Sequence, residues 1–212
     1  MHFWGNISPH LCNGEGKILT MLSSELKKNT ENIHRQAEKV MVSWLKRIRS
    51  LEDHVDFLNW LYAYYGPLED RIKTQLTSDN FPDIERRSRA DTLLLDMDAA
   101  GIPLPAPEIC RDLPLIDSYG TALGALYVLE GSTLGGRIIA EILAGQLGSE
   151  KCLSYFNSYG NETAGMWQSF KDLLDTPATL AFKEDILCSA GSTFLTFKTW
   201  IEKHELQPEL RF

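Results

Sequence analysis

A histidine and a glutamate one helical turn apart are the residues of this sequence best suited to chemistry. His34 lies four residues before Glu38, in a stretch whose apolar residues recur at helical spacing. A histidine can bind a metal through one ring nitrogen while an acceptor such as Glu38 holds the other. A single histidine ligand in an all-helical chain favours haem iron over zinc. Haem iron needs one imidazole, whereas zinc needs three or four protein ligands. The alternative is a histidine that only packs at the boundary of the core.

Other motifs of catalytic chemistry are missing from the sequence. Glu31 and His34 form half of a di-iron carboxylate motif, but no other histidine follows a glutamate by three positions. The sequence contains no P-loop, no GxSxG segment and no GxGxxG segment. The missing second half argues against a di-iron oxidase, and no motif indicates another enzyme class.

A long predicted helix over about 119–147 contains three glycines in its middle, Gly131, Gly135 and Gly136. Each glycine inside a helix costs roughly 0.5–1 kcal/mol relative to alanine. Together they cost about 1.5–3 kcal/mol, a large share of a folding stability of roughly 5–15 kcal/mol. We therefore expect these glycines to have a role that offsets this cost.

The glycines lie on two neighbouring stripes of that helix. Tyr127, Gly131 and Gly135 share one face, and Ser132 and Gly136 lie on the adjoining stripe. Over roughly two turns this face lacks side chains, so bare backbone can approach a flat partner, or the helix can bend. The alternative is a close crossing of two helices, in which small residues let the backbones touch.

The composition is that of a globular domain with an acidic balance. The 212 residues are 43% hydrophobic and 24% charged, and the formal net charge of −8 argues against general nucleic-acid binding. No apolar run is long enough for a membrane-spanning helix, and scattered cysteines without a CxxC pair favour a reduced, cytoplasmic compartment. One segment is basic instead, and we expect it to face an acidic partner; the alternative is an ordinary solvated helix face. This basic patch consists of Lys27, Lys28, Arg35, Lys39, Lys46, Arg47 and Arg49.

The apolar periodicity predicts helices along the chain and no convincing strand, which indicates an all-α single domain. We expect a flexible N-terminal extension over 1–21, a helical domain over 22–205 and a C-terminal tail over 206–212. Gly66 and Pro67 are expected to bend or end the second helix. The predicted helices cover 22–49, 53–78, 83–100, 119–147, 150–174 and 177–204.

Taken together, the two segments resemble the heme oxygenase family. The segment 26–38 resembles the family's proximal helix, in which a histidine followed by x-x-Ala-Glu ligates the haem iron, here His34. The segment 127–136 resembles the distal helix, a kinked, glycine-rich helix over the other haem face. Their order and separation also match, and the resemblance extends over roughly 22–205. It is closest to the bacterial branch, which includes enzymes that supply biliverdin to bacterial phytochromes.

This resemblance implies a multi-helix fold with haem b held between the proximal and distal helices, as both substrate and cofactor. It implies cleavage of haem by molecular oxygen (O2) to biliverdin, carbon monoxide and ferrous iron, with electrons from an external donor. His34 would ligate the iron, and Glu38 would hold the second nitrogen of its ring. Gly131 and Gly135 would lie nearest to the oxygen, with Gly136 beside them.

Ser132 marks a departure from the pattern of the family. Animal members carry an aspartate at this position that anchors a distal water chain, whereas several bacterial members lack it. The catalytic candidates are therefore Gly131, Ser132 and Gly135, with Ser132 and ordered waters as the candidate proton route. The resemblance also implies that Lys27 and Tyr127 hold the haem propionates. This anchoring fixes the in-plane rotation of the haem and predicts cleavage at the α meso carbon.

The basic patch is expected to dock a ferredoxin or a flavin reductase, and a phytochrome is expected to receive the biliverdin. Two alternatives remain open. A haem-binding or storage protein without turnover, for which Ser132 is the reason, would also bind haem through His34. A protein of the same helical fold without haem, as in the thiaminase-like hydrolases, would need a reactive cysteine, and no cysteine here lies in a marked motif.

Overall fold

The computed structural model describes residues 21–103 and 108–205, so residues 1–20 of the extension predicted over 1–21 and the tail predicted over 206–212 lie outside the described residues. This described part is all-α and contains no strand, as the periodicity predicted. Nor does it contain a helix of the length and apolarity that crossing a membrane requires. The helices are α1 (Leu22–Leu45), α2 (Leu51–Lys73), α3 (Ile84–Arg87), α4 (Ala90–Ala100), α5 (Tyr119–Leu147), α6 (Ser154–Asn157), α7 (Thr163–Leu174), α8 (Pro177–Leu180) and α9 (Lys183–Glu205), with a short 3-10 helix at Gly160–Glu162.

The glycine-containing helix α5 lies at the centre of the fold. Its residues 122–131 are buried without interruption, which is typical of a helix covered on every side. The last helix, α9, packs along both α5 and α1, while α2 packs on α4. Because α1 and α5 make most of their contacts with α9 and few with each other, a cavity remains between them.

Helix α2 does not end at Pro67, and it continues to Lys73. Proline has no amide hydrogen, so the carbonyl of Ala63, four residues earlier, loses its helical partner. The amide of Cys110, in the segment before α5, donates to this carbonyl at 2.9 Å instead. The helix therefore passes the proline with the Ala63 carbonyl satisfied, and the expectation that it could end there is wrong.

The single helix predicted over 83–100 is interrupted at Ser88 and Arg89, between α3 and α4. The buried carboxylate of Glu69 in α2 explains this interruption. It accepts hydrogen bonds from the backbone amides of Arg89, at 2.9 and 3.0 Å, and of Ala90, at 2.9 Å. These amides open α4, where backbone N–H groups have no partner within the helix and where negative charge is favoured.

The other predicted helices are present with shifted boundaries. Helix α1 ends at Leu45, and the runs 150–174 and 177–204 each contain a short helix followed by a longer one. The starts of α2 and α5 are fixed by Ser50 and Ser118, whose hydroxyl groups accept a hydrogen bond from the amide three residues later.

Candidate functional site

His34 lies in the middle of α1, and 20% of its side chain is exposed. Its ring meets Phe194 of α9 edge to face, with 5.3 Å between the ring centres. Nε2 of His34 lies 3.8 Å from Oε1 of Glu38, one turn later in the same helix. Burial lowers the pKa of His34 to about 4, so the imidazole is neutral at neutral pH. The neutral imidazole is the form that ligates a metal.

The imidazole lines an apolar cavity between α1 and α5, which measures about 630 Å³ including its opening to solvent. Four polar side chains line the cavity: His34, Glu38, Tyr65 and Ser132. The other lining residues are Ala37, Met41, Val42, Leu45, Val128, Gly135, Ile139, Phe194 and Phe197. We call this space the first cavity, and it brings His34 of α1 together with Ser132 and Gly135 of α5.

The glycines of α5 have different surroundings. Gly135 lines the first cavity, whereas Gly131 is buried and is not among the described residues that line it. Gly136 faces α6, because a Cβ atom at this position would lie 2.2 Å from the carbonyl oxygen of Phe156. Gly136 therefore fits the alternative explanation, a close crossing of two helices. Gly135 fits the first explanation, an open face of bare backbone.

The structure places the two predicted propionate ligands away from the lining of the first cavity. Lys27 is exposed on α1, nearly two turns before His34. Tyr127 is buried, its hydroxyl group hydrogen-bonds with Thr30 of α1, and its ring packs against Trp167 at 5.5 Å between centres. Burial raises the pKa of Tyr127 to about 12, so its hydroxyl group stays protonated. Among the described residues, neither Lys27 nor Tyr127 lines the first cavity.

A buried polar layer beside α5 was missed by the sequence reasoning. Glu130, which precedes Gly131, is fully buried and accepts hydrogen bonds from Nη1 of Arg87 and from the hydroxyl group of Tyr159, each at 2.5 Å. Arg87 is also bonded to Asp83 at 2.8 Å. The available signal was Glu130 itself, a single charged residue within an otherwise apolar stretch of α5. A buried carboxylate requires such partners, because an unpaired buried charge is very costly.

A second cavity, of about 370 Å³, adjoins the first. Met41, Tyr65, Ser132 and Ile139 line both cavities, so the two spaces meet beside α5. The charged residue of the second lining is Arg89, which lies between α3 and α4. The remaining lining residues are Leu61, Thr133, Gly136, Tyr155 and Phe156. Sequence reasoning did not single out Arg89, because nothing in the periodicity places it near α5.

The known proteins that are similar to this chain include three heme oxygenases. No family model matches it. A Xanthomonas campestris pv. campestris (strain 8004) protein named heme oxygenase is 34% identical over 115 residues, which span 53% of this chain and 67% of that protein. The solved NO- and CO-bound heme oxygenase of Neisseria meningitidis has a TM-score of 0.70 and 19% identity, over 86% of this chain and 91% of that one. The heme oxygenase of Leptospira interrogans has a TM-score of 0.67 and 20% identity, over 87% of this chain and 100% of that one.

Proposed function

This chain belongs to the heme oxygenase family of haem-degrading enzymes, and we propose that it cleaves haem b with O2 into biliverdin, carbon monoxide and ferrous iron. One observation carries the proposal. His34 on α1 and the Ser132–Gly135 segment on α5, which are about 100 positions apart in sequence, line the same apolar cavity. An external donor, a ferredoxin or a flavin reductase, supplies the electrons.

The lining of the first cavity fits haem in its chemistry. Haem is a flat, largely apolar molecule with one iron, and the cavity offers an apolar lining with a single imidazole. His34 is neutral, so its lone pair is available to ligate the iron. Glu38 accepts a hydrogen bond from the other ring nitrogen once the present 3.8 Å separation shortens to about 3 Å. Bound haem supplies the iron that activates oxygen for attack on the haem ring.

The α5 wall of the cavity leaves room for a small ligand and presents a hydroxyl group that can order water beside it. Gly135 contributes no side chain, and we propose that Gly131 contributes backbone in the same way. Ser132 Oγ donates to the carbonyl of Leu129 at 2.6 Å, so its hydrogen is fixed and its lone pairs can accept a hydrogen bond from water. We assign Ser132 to the proton route in place of the aspartate of the animal enzymes.

Lys27 and Tyr127 are proposed to hold the haem propionates. Lys27 and Thr30 lie one turn apart on α1, and Thr30 bonds with Tyr127, so the three residues lie at one edge of the α1–α5 pair. Lys27 is exposed, so its flexible side chain can extend toward a propionate at the mouth of the cavity. This anchoring favours cleavage at the α meso carbon. Chromatography of the product that shows mainly the β or δ isomer of biliverdin would contradict it.

The basic patch is proposed to dock the acidic electron donor. Lys39 and Arg35 are exposed on the same helix as His34, so a donor bound there would lie near the haem. Turnover with a ferredoxin should weaken with added salt and with Lys39→Glu, because both reduce the attraction between the surfaces. Turnover that responds to neither would refute the docking site. We further propose, on the resemblance to the bacterial branch, that a phytochrome receives the biliverdin.

The decisive experiment combines haem binding with turnover. Haemin is added to the purified protein, and the visible spectrum is recorded before and after a ferredoxin system or ascorbate is supplied in air. The wild-type protein should show a Soret band that decays as biliverdin forms. His34→Ala should lose this Soret band, and His204→Ala, a control histidine near the end of α9, should keep it. A stable haem complex that never converts would indicate a carrier, and no haem binding would refute the function.

A further inference from the structure

The segment between α5 and α7 contains backbone that glycine adopts most easily. We call residues 149–162 the α6 segment, since they include α6 and the short 3-10 helix. Cys152 and Ser158 are the two described residues other than glycine with a positive φ, at 61° and 48°. The ψ of Ser158 is −120°, so this residue also lies outside the left-handed helical region. A side chain in this conformation is strained, and such strain persists only where the surroundings impose it.

Four buried side chains of other elements hold the α6 segment in this conformation. Each of them hydrogen-bonds with the segment from a distant position in the chain, and each is at most 8% exposed. When the segment moves outward, water can replace each of these bonds, whereas the strain is released. The bonds run from Nε2 of His54 to the carbonyl oxygen of Cys152 at 2.7 Å, from the amides of Ser154 and Tyr155 to the carboxylate of Asp96 at 3.2 and 2.9 Å, from Nη1 of Arg89 to Oγ of Ser158 at 3.0 Å, and from the hydroxyl group of Tyr159 to the carboxylate of Glu130 at 2.5 Å.

The α6 segment forms one wall of the second cavity. Tyr155 and Phe156 line this cavity, and the carbonyl oxygen of Phe156 packs against Gly136 of α5. On the outer side of the segment, Lys151 and Asn157 are exposed. An outward movement of the segment would therefore open the second cavity to solvent. Because the linings of the two cavities overlap, it would also give the first cavity a second entrance, beside α5.

We propose that the α6 segment opens as a unit while the rest of the fold stays intact, and that it thereby gates the second cavity. Local opening of this kind is favoured where strain is released and where side-chain bonds hold the unit in place. The movement admits small molecules to the side of the first cavity that Ser132 lines. It requires no haem, so it is independent of the proposed function.

Cys152 is a natural probe of the opening. It lies inside the α6 segment and is 6% exposed, whereas Cys188 of α9 is exposed. Iodoacetamide reacts with thiols that it can reach, and peptide mass spectrometry reports each cysteine of the full chain separately. In the apoprotein, Cys188 should react at once and Cys152 at a slower rate, which the opening sets.

The urea dependence of the Cys152 labelling rate distinguishes local opening from global unfolding. Its slope should be less than half of the slope of global unfolding, measured by circular dichroism, because a local opening exposes less surface. Equal slopes would mean that iodoacetamide reaches Cys152 only in the unfolded chain, and would overturn the proposal.

The variants Ser158→Ala and Ser158→Gly isolate the contribution of strain. Both remove the hydroxyl group that bonds with Arg89, but only glycine adopts the native φ without strain. Labelling of Cys152 should therefore be about fivefold slower in Ser158→Gly than in Ser158→Ala. This ratio is at the lower end of what one strained residue gives, because glycine also gains freedom in the open state.

Asn157 provides the matched control pair. It is exposed, it precedes Ser158, and it lies in α6 without a positive φ. Glycine weakens a helix relative to alanine, so Asn157→Gly should be labelled at Cys152 faster than Asn157→Ala, the reverse of the order at Ser158. Equal rates in the Ser158 pair, or the same order at both positions, would overturn the proposal.

The variant Thr133→Cys tests whether the opening gates the second cavity. Thr133 is 4% exposed, and it lines the second cavity but is not among the described residues that line the first. A thiol at this position should be labelled as slowly as Cys152, and Ser158→Gly should slow its labelling relative to Ser158→Ala. Rapid labelling that neither variant changes would show that iodoacetamide enters through the first cavity, and would refute the gate. All these measurements use the apoprotein, so a failure of the proposed function would leave their outcome unchanged.

Discussion

Replacement of Gly136 by alanine tests whether this glycine of α5 serves the packing of helices and not the cavity. A Cβ atom on Gly136 would lie 2.2 Å from the carbonyl oxygen of Phe156, whereas ordinary contacts of this kind begin near 3.4 Å. The obstacle is backbone at the end of α6, so it cannot rotate aside as a flexible side chain would. Helices α5 and α6 would have to separate by about 1 Å, and overpacking of this kind costs about 1–3 kcal/mol.

The expected size of the effect follows from two opposing terms. The backbone clash places the cost of Gly136→Ala near the upper end of the overpacking range, at about 3 kcal/mol of folding stability. The better helix propensity of alanine offsets about 1 kcal/mol of this cost. The net loss is about 2 kcal/mol, which lowers the melting temperature of a domain of this size by about 4–8 °C. Gly145→Ala is the matched control. Gly145 lies in the same helix, is exposed, and has nothing within 4 Å of the added Cβ atom, so this variant should be stabilised by about 0.5–1 kcal/mol.

Thermal and urea unfolding of the two variants without haem measure this difference. The absence of haem matters, because a stability loss in the apoprotein cannot come from a lost haem contact. Equal stability of Gly136→Ala and Gly145→Ala would refute the packing role of Gly136. In that case a role other than helix packing, such as space for a ligand beside α5, would have to offset the cost of a glycine at this position.

Two further predictions concern buried polar groups. Burial lowers the pKa of His54, whose Nε2 lies 2.7 Å from the carbonyl oxygen of Cys152, so protonation of the unfolded chain reduces stability as the pH falls below about 6.5. The melting temperature of His54→Gln should accordingly fall less between about pH 7.5 and pH 5 than that of the wild type, and an equal fall would contradict this. Glu69→Gln should lower the free energy of unfolding in urea by about 1–3 kcal/mol. The side-chain amide of glutamine would replace the carboxylate that accepts hydrogen bonds from the backbone N–H groups of Arg89 and Ala90. Unchanged stability of this variant would show that the amides find other partners.

The helical class and the main helices could be predicted from sequence because they depend on local spacing. The apolar periodicity predicted α1, α2 and α5, and the one-turn spacing placed Glu38 beside His34, at 3.8 Å. That His34 and Ser132 line the same cavity could not be predicted from spacing, because it depends on tertiary packing. It was expected only because the two segments together resemble a known family.

Details that involve distant residues could not be predicted from spacing. The break before Arg89 depends on a carboxylate 20 positions earlier, and the continuity of α2 depends on an amide donated by Cys110 to Ala63. In both places a side chain or an amide from elsewhere satisfies backbone groups that local rules leave unpaired. The same limit explains why the second cavity was missed, because Arg89 and Ser132 meet only in the folded chain.

The distance across the first cavity is set indirectly, by α9. This helix is fixed to α5 where Ser189 donates to the carbonyl of Thr121 at 2.6 Å, and where the missing side chain of Gly124 allows close approach to the carbonyl of Ile186. It contacts α1 through Phe194, which meets the ring of His34. Since α1 and α5 each rest on α9, a shift of α9 moves His34 relative to the wall that contains Ser132. The geometry of the first cavity therefore depends on residues of α9, such as Ser189, that are not among the described residues lining it.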